Sequence, residues 1–238
     1  MSSDHAKPGD GVEPTITLSE EGVPFAPAYD DVYCSRNGVE QTELVFVSGS
    51  ELPERFGRGE DVAVVETGLG LGLNLLATMR AWTLAGGTGS LSHASIELHP
   101  VSPGVLRALH AELGTLDELT EAFLDVYPAL LETGHADVST AHGSVPLRLV
   151  IGDSAAALRA LDLVCDAVFL DGFAPAKNPA LWTPSVFAEV ARLARPGATV
   201  VSYTAAGFVR QGLGLAGFDV ERREGFGLKR HRLFGRRR

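Results

Sequence analysis

From Asp61 onward the chain alternates short apolar runs with longer segments in which apolar residues recur every three or four positions. Strands buried on both faces read as continuous apolar runs, so this alternation predicts a mostly parallel sheet joined by helical crossovers. Seven runs predict strands: DVAVVE (61–66), LSHASIE (91–97), PLRLVIG (146–152), DAVFLDG (166–172), ATVVSY (198–203), FDVERRE (218–224) and RHRLFG (230–235). Helices are predicted over 73–84, 105–113, 116–127, 155–161, 184–194 and 206–216, with Pro184 in a first turn and Pro196-Gly197 as a helix stop. The last two strands leave almost no room for a helix between them and should pair antiparallel at one edge. Before Asp61, residues 15–18 and 43–47 read as short strands of a small N-terminal β appendage, with the turn residues Asn37-Gly38 between them. The expected division is a disordered polar lead-in over 1–14, an N-terminal cap over 15–60 and the main domain over 61–238.

A length of 238 residues suits one large α/β domain, and 45% hydrophobic with 21% charged residues is an ordinary globular composition. No apolar run approaches the roughly 20 residues that span a bilayer. The start lacks the basic and apolar regions of a signal peptide, so a cytoplasmic protein without a membrane partner is expected. Cys34 and Cys165 are the only cysteines, which supports neither a disulfide framework nor a cysteine-based metal site. The net charge of −10 argues against nucleic acid, but the charge is uneven. Residues 222–238 hold eight Lys or Arg against Glu224 alone, a net of +7, whereas the other 221 residues hold 12 against 29 acids, a net of −17. The basic tail is either a solubilising terminus or a nucleic-acid contact.

The first predicted strand of the main domain runs into Glu66-Thr67-Gly68-Leu69-Gly70-Leu71-Gly72 and then a helix opening Leu73-Asn74. Alternate glycines let the backbone turn sharply and approach a ligand closely. The dinucleotide fingerprint G-x-G-x-x-G fails, because the third glycine falls one residue early and Leu73 takes its place. An acid two residues before the first glycine also disfavours a pyrophosphate but suits the ammonium of an aminoacyl sulfonium. Further acids end successive strands, where ligands of open α/β sheets bind: Glu97, placed to accept from ribose hydroxyls; Asp153, for the adenine side or as a helix N-cap; and Asp171. Glu66, Gly68, Gly70, Gly72, Asn74, Glu97, Asp153 and Asp171 form the candidate cofactor set. The expected fold is a Rossmann-like S-adenosylmethionine-dependent methyltransferase with a mostly parallel seven-stranded sheet and an antiparallel edge strand.

The segment DGFAPAKNPALW (171–182) packs prolines, a glycine and an asparagine between a buried strand and a helix, which predicts a shaped loop at the active face. Amine methylation requires a free lone pair held in line with the methyl group, so positioning and proton removal carry it. Asp171 is the candidate proton acceptor. Phe173 either stacks on a base or shields the sulfonium, or else it packs in the core. Lys177 contacts phosphate or is a solvated surface lysine. Tyr29, Asp30, Asp31 and Tyr33 form a substrate rim or a local turn, and Asn178 and Arg230 complete the candidate substrate set. His93 and His99 read as structural, no metal-ligand spacing stands out, and no G-x-S-x-G elbow points to a hydrolase.

At DGFAPAKNP the chain resembles the methyltransferase domain of the bacterial tRNA 5-methylaminomethyl-2-thiouridine biosynthesis family, MnmC, and its stand-alone relatives. The resemblance extends through 29–46, 66–76, Glu97-Leu98-His99-Pro100, Ile151-Gly152-Asp153, 191–218 and 223–235. Leu69, Leu71 and Cys34 depart from the Phe, Thr and Phe frequent in the family. The resemblance implies methyl transfer from S-adenosylmethionine to the aminomethyl group of a modified wobble uridine in tRNA. It places Glu66, the three glycines, Glu97 and Asp153 at the cofactor, and Asp171 and Phe173 at the amine and base. Some relatives carry a second, FAD-dependent oxidase domain; this chain is too short to encode one, so neither a linked oxidase nor a flavin is expected, and without metal-ligand spacing no metal is expected either. The alternatives are an N-methyltransferase acting on a small molecule or protein, and a cofactor-binding scaffold without catalysis.

Overall fold

A computed structural model describes residues 14–227 and 229–238. The lead-in expected over 1–14 lies, for residues 1–13, outside the described residues. The chain first forms a three-stranded antiparallel sheet from β1 (Thr17–Leu18), β2 (Pro24–Ala26) and β3 (Asp31–Val32). Two short helices follow, α1 (Gly38–Thr42) and α2 (Leu52–Gly57). The main body then runs β4 (Val62–Thr67), α3 (Leu73–Leu84), β5 (Leu91–Glu97), α4 (Pro103–Glu112), α5 (Glu118–Thr133), β6 (His135–Thr140), β7 (Gly143–Ile151), α6 (Ser154–Ala160), β8 (Cys165–Leu170), α7 (Pro184–Leu193), β9 (Ala194–Ser202), α8 (Gly207–Leu215), β10 (Phe218–Glu224) and β11 (His231–Arg237).

The large sheet has the order β10-β11-β9-β8-β4-β5-β7-β6. Strands β9, β8, β4, β5 and β7 are parallel, and β11 is antiparallel to both β9 and β10, as the cramped link between the last two strands predicts. All seven expected strands are present. An eighth, β6, pairs antiparallel with β7 at the opposite edge.

Alternation along the central strands divides the core into two layers. Val62 and Val64 of β4 and Ala167 and Phe169 of β8 join Leu75 and Met79 of α3 and Phe123 and Tyr127 of α5. Val65, Val168 and Leu170 point the other way, to Leu158 of α6, Val186 and Val190 of α7 and Val209 of α8. With helices on both faces, the sheet offers ligands only its ends. Strand β4 leads outward to β5 and β7, and the chain then returns to place β8 on the other side of β4. The carboxyl ends of β4 and β8 therefore flank the topological switch point, where open α/β sheets open a crevice.

Two expectations are corrected. Residues 43–47 (ELVFV), expected as a strand, form a π-helical turn continuing α1, which begins at Gly38 rather than in a hairpin turn. Val45, Phe46 and Val47 are buried there against the sheet layer that holds α3, so tertiary burial overrides the β propensity of the run. Helix α5 continues through Pro128 to Thr133 instead of stopping at Tyr127. The proline removes one helical N–H, but Leu130 beyond it is buried in the same core as Tyr127 and holds the added turn in place. Among the described residues, no helix is long and apolar enough to cross a membrane.

Candidate active site

The carboxyl ends of β4 and β8 are tied together before any ligand is considered. Thr67 Oγ1 donates to the Asp171 carbonyl at 2.7 Å and accepts from the Asp171 N–H at 3.0 Å. The loops beyond them cross closely: a Cβ on Gly68, whose φ is +78°, would lie 3.3 Å from the Gly172 Cα. Only glycine meets both the left-handed backbone and the spacing there. Beside this crossing opens a cavity of about 400 Å³.

Most of the expected residues come together around it. Gly68, Gly70, Asn74, Glu97, Asp153, Asp171, Phe173, Tyr29, Asp31, Tyr33 and Asn178 all line the cavity. Glu97 is held by two backbone donors, Gly70 N–H to Oε2 at 3.0 Å and His99 N–H to Oε1 at 2.9 Å, which binds the glycine loop to the end of β5. Each carboxylate oxygen keeps a further lone pair for a hydroxyl. Asp153 caps α6, accepting from Ala155 and Ala156 N–H at 3.2 and 3.3 Å, and it also lines the cavity.

Other expected residues fall elsewhere. Gly72 lies behind the cavity wall, where a Cβ would meet the Phe123 ring at 2.9 Å. Glu66 is fully buried beneath the floor, where it accepts from Asn74 Nδ2 at 2.7 Å and Ser95 Oγ at 2.9 Å and lies 3.1 Å from His93 Nε2. Lys177 is an exposed partner of Asp30 outside the cavity, and Arg230 is exposed on the turn between β10 and β11.

Asp171 occupies the floor. Its Oδ2 accepts from Asn74 Nδ2 at 2.7 Å and its Oδ1 from Gly172 N–H at 2.8 Å. Asn74 therefore lends one amide nitrogen to two carboxylates, Asp171 in the cavity and Glu66 beneath it. Burial pushes the Asp171 carboxyl up to about 7; the Glu66 charge adds to this, whereas Gly172 N–H, Asn74 and Lys229 act against it.

An aromatic bracket stands over the floor. Tyr29 stacks on Phe173 with ring centroids 4.4 Å apart, and Tyr33 meets the Phe173 edge at 5.2 Å. The small N-terminal sheet latches onto the 171–182 loop through Asp31 Oδ2, which accepts from Ala174 N–H at 2.7 Å, and through the Lys177–Asp30 ion pair. The loop is secured from behind by Trp182 Nε1, donating to the Phe173 carbonyl at 3.0 Å, and by Tyr203 OH, donating to the Gly172 carbonyl at 2.9 Å.

Several lining residues lie outside the expected set, among them four with titratable side chains. Tyr203 directly follows β9, and Lys229 places its Nζ 3.7 Å above the Tyr203 ring centroid, one position before the expected Arg230. Desolvation holds the Lys229 ammonium below the usual lysine range, against the opposing pull of Asp171 and Asp31. His99 belongs to the wall beside Tyr29, and burial pushes the Cys34 thiol up to about 11, so it serves as a neutral wall group. For Tyr203 the available signal was its place at a strand's carboxyl end; for Lys229 the sequence carries no mark that separates it from its basic neighbours. Among the described residues, no cluster of His, Cys, Asp or Glu could hold a metal ion.

Comparisons with known proteins bear on the family and the fold. A family model described as S-adenosyl-L-methionine-dependent methyltransferase matches residues 114–238. The tRNA 5-methylaminomethyl-2-thiouridine biosynthesis bifunctional protein MnmC of Ralstonia nicotianae is 45% identical over 218 residues, covering 91% of this chain and 33% of that protein. The MnmC protein of Cupriavidus necator is 45% identical over 214 residues, with 89% and 32% covered. The chain thus spans about one third of the length of these curated relatives. The crystal structure of MNMC2 from Aquifex aeolicus shares the fold, with a TM-score of 0.73 at 22% identity, covering 93% of this chain and 70% of that one. With a family model matched over more than half of its residues and a glycine cradle at the switch point of its sheet, the chain belongs to the S-adenosyl-L-methionine-dependent methyltransferases.

Proposed function

We propose that the chain methylates the aminomethyl nitrogen of 5-aminomethyl-(2-thio)uridine at the wobble position of tRNA. The observation that carries this reading is the meeting of a half-buried carboxylate, Asp171, with the aromatic bracket of Tyr29, Phe173 and Tyr33 in the same cavity as the glycine cradle. The 45% identity to MnmC proteins over some nine tenths of the chain supports the choice of acceptor.

The residues present fit the cofactor. Gly68 and Gly70 line the cavity, Glu97 is held there by two backbone donors with lone pairs to spare and would accept from ribose hydroxyls, and Asp153, also in the lining, would meet the adenine. When bound, S-adenosylmethionine supplies an electrophilic methyl group on a sulfonium centre. The chain's own residues prepare the nucleophile. An aminomethyl group is largely protonated near neutral pH and must lose a proton to expose its lone pair. Asp171, with its affinity for protons raised towards neutrality by burial, accepts that proton or the remaining N–H. Phe173 and Tyr29 supply flat apolar faces against which a flipped pyrimidine stacks, the usual means by which enzymes hold an extruded base. Asn178 lines the same cavity and would hydrogen-bond the base. In this reading Glu66 acts from beneath the floor through Asn74, and Asn74 orients Asp171.

The reading is tested with Asp171→Ala. The variant is expected to keep cofactor binding by calorimetry and to lose on the order of 10²- to 10⁴-fold in methyl transfer to tRNA carrying the unmethylated aminomethyl group. Near-normal turnover would remove Asp171 from the chemistry.

A further inference from the structure

The strongly basic tail is divided by topology. Strand β11 runs antiparallel to β9, pairing Leu233 with Ser202 and Arg236 with Thr199. The start of β11 therefore lies at the end of the sheet that carries the cavity, and Arg236, Arg237 and Arg238 lie at the opposite end. Those three are occupied within the fold. Arg236 Nη2 pairs with Glu51 at 2.7 Å, Arg237 Nη1 donates to the Gly217 carbonyl at 2.9 Å, and Arg238 Nη1 pairs with Asp219 at 3.0 Å.

At the cavity end the arginines are in a different state. Arg222 of β10 reaches towards the start of α8, with Nη2 3.4 Å from the Ala205 carbonyl, two residues beyond the cavity-lining Tyr203. Arg210 lies in the first turns of the same helix, and Arg230 follows Lys229, which reaches into the cavity mouth. All three are exposed, and among the described residues none has a carboxylate within ion-pair distance. Most other arginines do, including Arg55, Arg58, Arg80, Arg107, Arg159, Arg192 and Arg195.

We infer that Arg210, Arg222 and Arg230 form the docking surface for the phosphodiester backbone of the RNA substrate, adjoining the cavity on its β9–α8 side. This rests on the proposed tRNA reading and locates where that RNA is held. Unpaired guanidinium groups are matched to phosphate oxygens. Because the chain as a whole carries −10, RNA is repelled over most of the surface, and a local basic face orients the approach.

The test compares two triple variants of the full chain, each losing three positive charges, in binding to a tRNA transcript across a salt series. Arg210→Gln/Arg222→Gln/Arg230→Gln is expected to weaken binding on the order of tenfold or more at low salt and to flatten the slope of log affinity against log salt by about 2 to 3. Arg236→Gln/Arg237→Gln/Arg238→Gln is expected to leave that slope unchanged. Unaltered S-adenosylmethionine affinity shows that a variant is folded; if the first triple fails this check, Arg230→Gln alone, on an exposed turn, is expected to lower the slope by about one. Wild-type protein that binds tRNA with a slope indifferent to the first triple and to Arg230→Gln overturns the docking surface and leaves the proposed function standing. Wild-type protein that binds no tRNA overturns both. Equal binding of tRNA and polyglutamate through these arginines marks a general polyanion site and also overturns the inference.

Discussion

Asp171 and Glu66 hold the same type of charge at different depths, and the residue between them decides what each does. Asn74 donates one nitrogen to both carboxylates at 2.7 Å. Asn74→Ala leaves two carboxylates, one of them fully buried, short of a donor, and a destabilisation of about 1 to 3 kcal/mol is expected in chemical denaturation. Asp171 also links proton binding to stability. Its folded value of about 7 lies above its ordinary carboxyl value, so the folded state binds more protons than the unfolded chain between the two. The stability this group contributes is therefore complete at acid pH and lost as pH rises through about 7, a trend that Asp171→Ala should remove from the pH dependence of unfolding. In activity the sign reverses: transfer should rise with pH as Asp171 ionises, with its inflection at or below about 7 because a bound sulfonium favours the carboxylate. At this scale the acids on the strand ends were legible in the sequence, since chain position alone puts Glu97, Asp153 and Asp171 at the cavity. The depth of Glu66 was not, because one residue of strand alternation separates a floor group from one buried beneath it, and no local pattern records which side His93 and Ser95 approach from.

Elements differ in how plainly the sequence states them. The central strands announce themselves because both faces are buried; all six residues of β8 are buried. Strand β6 escapes notice because it is a polar edge strand in which only Val138 is buried. The run at 43–47 misleads for the opposite reason, since it is apolar and β-branched enough for a strand yet is coiled by the burial of Val45, Phe46 and Val47. The N-terminal sheet matters to the site through a contact that no local pattern predicts, Asp31 to the backbone of Ala174, 143 residues away. Removing this latch by Asp31→Ala should leave S-adenosylmethionine affinity near the wild-type value while raising KM for tRNA several-fold, because the 171–182 loop then loses its support on the substrate side. Equal loss in both affinities would show that the latch instead stabilises the whole domain.

Across the whole molecule, doubly wound topology turns a linear charge run into two surfaces with different tasks. The tail reads as one basic segment, yet its ends lie at opposite ends of the sheet. Deleting residues 236–238 is accordingly expected to lower the unfolding midpoint, through loss of the contacts to Glu51, Gly197, Gly217 and Asp219, with little effect on the salt dependence of tRNA binding. The same topology brings the glycine cradle, the Asp171 floor and the aromatic bracket to one cavity, from segments as distant as Tyr29 and Lys229. The most direct measurement is mass spectrometry of wobble nucleosides after the protein is incubated with S-adenosylmethionine and tRNA carrying the unmethylated aminomethyl group. The account predicts a gain of one methyl on that nitrogen, absent with Asp171→Ala. Cofactor bound without any methyl reaching the wobble uridine, or methyl delivered to a different nucleoside, would contradict it.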